Sequence, residues 1–235
     1  MLLTLLILLV ASTAQSDDTV ITPESGTVNG VVTNEEGVVV AGATAYAHPL
    51  DRPIAGRVPH AETNATGHFA IHELPWGLYS ISATKEQDDY PEMFSAFFAR
   101  NYPAQRANLG PDNPTATLTI RLGPKAGRLT GTVKDAATSA PLNPCAEFKW
   151  ASDPGNYLTG TGLVNAEYRV LIPSSTNVLW KVWLDGYKPW YYPGTTVESM
   201  ATSVNLKPGQ AKEVEIELQP DVKAEKLGCG MPDEP

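Results

Sequence analysis

Apolar residues recur along this chain with a period of two, and that alternation constrains the fold more than any other feature. Ala116, Leu118, Ile120 and Leu122 alternate with Thr115, Thr117, Thr119 and Arg121. Val214, Ile216 and Leu218 alternate with Glu213, Glu215 and Glu217. Phe69 and Ile71 alternate with His68, Ala70 and His72, and Tyr79, Ile81 and Ala83 with Leu78, Ser80 and Ser82. Successive side chains of a strand point to opposite faces, so each run predicts a half-buried antiparallel strand. Between the runs stand Thr66-Gly67, Pro75-Trp76-Gly77, Gly110-Pro111-Asp112-Asn113-Pro114 and Asp153-Pro154-Gly155-Asn156. Glycine, asparagine and aspartate accept positive φ and proline fixes φ, which tight connections between strands require. With 19 Gly and 20 Pro in 235 residues, few stretches stay unbroken long enough for a helical period, and a helical bundle is disfavoured.

The two halves of the chain match each other. Gly30-Val31-Val32 aligns with Gly131-Thr132-Val133 at an offset of 101, and Phe69-Ala70-Ile71 with Tyr168-Arg169-Val170 at 99. Leu74-Pro75 aligns with Ile172-Pro173 at 98, and Leu118-Thr119-Ile120 with Val214-Glu215-Ile216 at 96. Slow drift of this kind is what loop insertions and deletions leave in two copies of one fold. Tyr102-Pro103 against Tyr192-Pro193 drops to 90, which predicts an insertion in the first copy between Glu86 and Glu92. The copies are expected at residues 24–123 and 127–220, with a tail at 221–235. Gly123-Pro124-Lys125-Ala126-Gly127 joins them, a connection short enough to limit their swing. Each copy carries about seven strand candidates, the number that suits two packed sheets of an all-β sandwich.

Residues 1–16 read as a signal peptide. Leu2 to Val10 is an apolar run interrupted only by Thr4, and small residues follow it up to Asp17. The run is too short to span a bilayer, which takes about 20 residues, and it suits the apolar region of a secretory signal. Cleavage after Ala14 or after Ser16 satisfies the small-residue pattern. No Lys or Arg precedes the run, and a buried N-terminal strand is the alternative. The expected location is secreted or extracytoplasmic, in the periplasm or at the cell surface, with no membrane insertion after cleavage. The 17 Lys and Arg against 26 Asp and Glu give a net charge of −9, which offers no support for binding nucleic acid or anionic lipid. In an oxidising compartment Cys145 and Cys229 can close a disulfide; the alternative is one buried and one exposed thiol. They lack the close spacing of structural zinc ligands.

The motifs of the first copy run Gly30-Val31-Val32, then Gly42-Ala43-Thr44-Ala45, then Thr66-Gly67-His68-Phe69, then Leu74-Pro75-Trp76-Gly77-Leu78-Tyr79-Ser80-Ile81. This order resembles that of carboxypeptidase regulatory-like domains, β-sandwiches of the transthyretin-like or prealbumin-like, Ig-like type. The second copy keeps Gly131-Thr132-Val133, Tyr168, Ile172-Pro173 and Tyr191-Tyr192-Pro193-Gly194-Thr195-Thr196. It departs at Pro144-Cys145, where Gly42-Ala43 stands in the first, and at Asn177, where the turn glycine would be. The resemblance implies an accessory role, beside metallocarboxypeptidase domains, before outer-membrane receptors, or as adhesive and spacing units of surface proteins. Related starch-binding-like folds bind carbohydrate. The glycines and prolines of these motifs serve turns, so they specify fold better than function.

Catalytic signatures are missing from the sequence: it holds no Gly-x-Ser-x-Gly elbow, no His-Glu-x-x-His and no phosphate loop. No catalytic residue, metal ligand or cofactor is expected, and a cryptic hydrolase is the remote alternative. His48 and Asp51 have metal-ligand spacing without a third ligand, and His68 and His72 are expected to face solvent. Asp88 and Asp89 read as a solvated loop, or, with Glu92, as a weak calcium set without the spaced loop such sites use. The feature with most functional content is aromatic. Trp183, Tyr187, Trp190, Tyr191 and Tyr192 follow Trp180 closely, and alternation puts Val178, Trp180, Val182 and Leu184 on the core side. Exposed rings at these positions would stack on sugars or fill a protein interface; the alternative is that they cover the sandwich end or the seam between the copies. The expected function is a non-catalytic, exported binding protein. Its partner is then carbohydrate or a cell-envelope or extracellular protein, and the other reading is a structural spacer for a surface enzyme or receptor.

Overall fold

The computed structural model describes residues 25–54, 56–92, 98, 105–155, 158–162 and 166–224. The expected signal peptide at 1–16, Cys229 and the tail from residue 225 lie outside them. The fold is all-β. In the first half, β1 (Ser25–Thr33), β4 (His68–Pro75) and β7 (Thr115–Arg121) form a sheet in the order β4-β1-β7. A second sheet holds β2 (Thr44–Pro49), β3 (His60–Glu62), β5 (Gly77–Thr84) and β6 (Gln105–Leu109) in the order β3-β2-β5-β6.

The second half repeats this plan. The first of its sheets joins β11 (Glu167–Ile172), β8 (Gly127–Asp135) and β14 (Ala211–Glu213), and β15 (Ile216–Leu218) also pairs with β8. Its other sheet runs β10 (Leu158–Gly162), β9 (Cys145–Trp150), β12 (Val178–Trp183), β13 (Trp190–Tyr191). Strand directions repeat as well: β1 is antiparallel to β4 and parallel to β7, as β8 is to β11 and to β14 and β15. One apolar cluster extends from Val28 to Leu122 and the other from Leu129 to Leu218. Among the described residues no sheet mixes strands from the two halves.

The sequence repeat has a packing cause. Gly30 on β1 pairs with Phe69 and Leu118; a Cβ there would overlap the Leu118 carbonyl oxygen and lie 2.7 Å from the Phe69 ring. Gly131 on β8, at φ 157°, pairs with Tyr168, and a Cβ there would overlap the Val214 carbonyl and lie 2.9 Å from the Tyr168 hydroxyl. Positions 30, 69 and 118 thus meet at one point in the first half, as 131, 168 and 214 do in the second. An aromatic ring laid across the central strand leaves no room for a side chain beneath it.

Two local expectations change. Val214 was expected inside one strand with Ile216 and Leu218, but it falls between β14 and β15. Its carbonyl accepts the Tyr168 hydroxyl, so the ladder breaks where the tyrosine enters, and burial raises the pKa of that hydroxyl. β5 was expected to turn Ser80 and Ser82 to solvent, yet they are 2% and 5% exposed. Its outer face is covered by His48 and Glu92, described below.

Candidate functional site

The predicted insertion forms the joint between the halves. After a 3-10 turn over Glu86–Asp88, Asp89 takes the left-handed conformation at φ 66°, which aspartate tolerates better than most residues. That turn points its carboxylate inward, where the residue is 6% exposed. Arg128 Nη1, on β8, donates to both carboxylate oxygens at 2.9 and 2.8 Å, and Arg169 Nη2, on β11, donates to Oδ1 at 2.8 Å. Arg169 also donates to the Glu86 carbonyl, and the Ala126 N–H donates to the Asp89 carbonyl at 2.7 Å. Lys125 Nζ stands 5.2 Å from the centre of the Tyr90 ring. Asp89 is therefore no part of a solvated loop or of a calcium set: two arginines of the second half occupy its lone pairs. Asp88 does stay exposed, paired with Lys85 at 2.7 Å.

Glu92 turns back onto the first half. Its Oε1 lies 2.6 Å from His48 Nε2 on β2 and accepts Ser82 Oγ from β5 at 3.0 Å. Burial works to raise the Glu92 pKa, but the bonds from His48 and Ser82 outweigh it and hold the carboxyl below the usual glutamate value. The expected spacing of His48 and Asp51 brings the two to different tasks. Asp51 pairs with Arg52 at 3.1 Å and accepts the Leu78 N–H at 2.9 Å. His68 and His72 are exposed, as alternation implies.

The aromatic segment of the second half is mostly core. Trp190 is 5% exposed, and its ring meets Trp180 edge-on with centroids 5.1 Å apart. This corrects the reading of Trp190 as an exposed stacking ring: β13 pairs with β12 and folds the indole onto the inner face. Tyr192 stacks on Trp180 at 6.4 Å and receives a hydrogen bond from Lys212. Tyr187 donates its hydroxyl to Asp135 at 2.8 Å. Tyr191 is buried at 8% exposure, and Trp183, Tyr187 and Tyr192 are half-buried. On the outer face of the β10-β9-β12-β13 sheet lies a groove of about 230 Å³, walled by Glu147, Lys149, Leu179, Lys181, Tyr191 and Glu198. Lys181 Nζ stands 5.4 Å from the Trp183 ring centre and 5.8 Å from that of Tyr191.

No family model matches the chain, and no curated protein matches it. Solved structures do resemble it. The TIE protein of Bacillus anthracis is 15% identical over 84% of this chain and 34% of its own, with a TM-score of 0.32. The shaft pilin of Lactobacillus rhamnosus GG is 10% identical over 87% of this chain and all (100%) of its own, at a TM-score of 0.32. A minor pilin of Streptococcus agalactiae is 16% identical over 87% and 99% of the two chains, at 0.31. The chain thus spans about a third of the Bacillus protein, and it spans 62% of a streptococcal ancillary pilin.

Several of these residues escaped the sequence reading. Arg128 and Arg169 look like ordinary polar positions of strands, and nothing local marks them as partners of Asp89. Lys149 and Lys181 are equally plain, although alternation does put Lys181 opposite the core face. Cys145 is buried at the start of β9 and is disulfide-bonded. Among the described residues no group of three or more His, Cys, Asp or Glu is placed to hold a metal.

Proposed function

We propose that this chain is a non-catalytic, exported protein in which two tandem prealbumin-like modules, 24–123 and 127–220, act as one stiff interaction unit. The single observation that carries the reading is Asp89. A buried carboxylate with three charge-assisted bonds from two arginines fixes the orientation of one module on the other, since such bonds are short and directional. A spacer or adhesive unit needs that stiffness. A chain whose modules swing freely gains nothing from burying a charge between them, because burial carries a desolvation cost. The carboxypeptidase regulatory-like resemblance supports the same role, which is accessory and directed at proteins of the envelope or the extracellular space. Carbohydrate stacking is the weaker reading, because Trp190 offers no ring face to solvent.

Export is tested by the mature N-terminus. Protein recovered from the medium or envelope should begin at Gln15 or Asp17, and protease added to intact cells or spheroplasts should remove it. Recovery of the chain in the cytoplasm with Met1 retained overturns the exported reading.

A further inference from the structure

The internal repeat makes the outer sheet faces of the two halves comparable position by position. His48 corresponds to Lys149 at an offset of 101 and Ser82 to Lys181 at 99, the offsets that relate Gly30 to Gly131 and Phe69 to Tyr168. Strand register agrees. His48 pairs with Ser80 and Ser82 with Tyr46 across β2 and β5, while Lys149 pairs with Leu179 and Lys181 with Glu147 across β9 and β12. In the first half this pair of positions holds a carboxylate, that of Glu92, between His48 Nε2 and Ser82 Oγ. Glu92 arrives on the long connection from residue 85 to 104; the equivalent connection, 184 to 189, is far shorter and contains no glutamate. The second half has the groove in its place.

We propose that this groove binds a glutamate side chain of a partner polypeptide, with its carboxylate taken between Lys149 and Lys181. The first half already contains such a complex, formed with its own chain. Two ammonium groups replace an imidazole and a hydroxyl, so both donors to the carboxylate carry a charge, and charge-assisted bonds are short and strong. The charges facing the groove are Glu147 and Glu198 against Lys149 and Lys181. Glu147 is engaged by Lys149 at 3.1 Å, and Glu198 lines the groove near Tyr191, whose pKa is raised by burial and then by that carboxylate. Lys181 makes no ion pair among the described residues; its ammonium rests against the Trp183 and Tyr191 rings and is the cation left for a ligand. Leu179 and the Tyr191 ring supply apolar walls for the methylene stem. The inference uses the second sheet face alone and does not depend on the joint at Asp89.

The test is a titration of the mature protein with the blocked tetrapeptide Ac-YPEM-NH2, copied from residues 90–93, followed by two-dimensional NMR. Saturable shifts are expected at Lys149, Lys181 and Tyr191. The same peptide with glutamine for glutamate should bind about tenfold more weakly, as loss of one charge-assisted bond implies. Lys181→Gln should cost a similar factor while the rest of the spectrum stays in place, which separates a lost contact from a lost fold. Equal binding of the two peptides overturns the proposal, as does unaltered binding to Lys181→Gln or the absence of saturable shifts. Saturation of these signals by glucuronate without any response to the peptide also overturns it, and assigns the groove to an acidic sugar.

Discussion

Replacing Asp89 by alanine should uncouple the two halves. The substitution removes the acceptor of three bonds and leaves Arg128 and Arg169 of the second half without their shared carboxylate. Truncating one partner of a fully buried ion pair costs about 3–5 kcal/mol, chiefly because the other charge stays buried. Here the arginine side chains are 31% and 39% exposed, so water can reclaim part of each guanidinium. The expected loss is therefore smaller, about 2–3 kcal/mol, still a large part of a domain's stability of about 5–15 kcal/mol. The assay is urea unfolding followed by far-ultraviolet circular dichroism and by tryptophan fluorescence. Trp76 is the one tryptophan of the first half, and Trp150, Trp180, Trp183 and Trp190 belong to the second, so fluorescence reports mainly on the second while dichroism sees both. The two curves should coincide in the native protein and separate in Asp89→Ala. Arg128→Met should separate them too, and the double variant should lose less than the sum of the two single losses by at least about 1 kcal/mol, the coupling between the residues. Coincident curves in Asp89→Ala, with a loss below about 0.5 kcal/mol, would refute the reasoning.

Three further outcomes follow from particular residues. Gly131→Ala should destabilise the second half by more than about 2 kcal/mol, because a Cβ there overlaps backbone; Gly37→Ala, at φ 81° with nothing within 4 Å, should cost only about 1 kcal/mol, as thermal unfolding of the two variants would show. Glu92 has a lowered pKa, so its contribution is present above the ordinary glutamate range near about 4.3 and is lost as the pH falls through the lower folded value. Unfolding free energies measured across that window should fall for the native protein and flatten for Glu92→Gln. Thiol titration of the unreduced, denatured protein should find no free thiol, with Cys145 joined to Cys229; two free thiols would remove the bridge.

The sheets were legible because burial on one face writes period two into the sequence, and His68 and His72 emerge on the solvent side as that rule requires. The repeat was legible because an aromatic ring over a central glycine needs three positions to persist together: 30, 69 and 118, then 131, 168 and 214. Trp190 was not legible. Its type suits either a core or a binding face, and only the pairing of β13 with β12 decides between them. Asp89 was hidden for a different reason: an aspartate beside another aspartate reads as solvated, and its arginine partners lie 39 and 80 residues away. Burial on both faces of β5 depended likewise on a distant group, Glu92, that alternation within one strand cannot reveal.

The most direct test of a stiff two-module unit is measurement of residual dipolar couplings for backbone amides of both halves in one weakly aligned sample. A single alignment tensor should fit residues 25–92 and 127–218 together, with the relative orientation that the Asp89 bonds impose. Tensors of clearly different magnitude for the two halves of the native protein would contradict the account, since they arise only when the modules move independently.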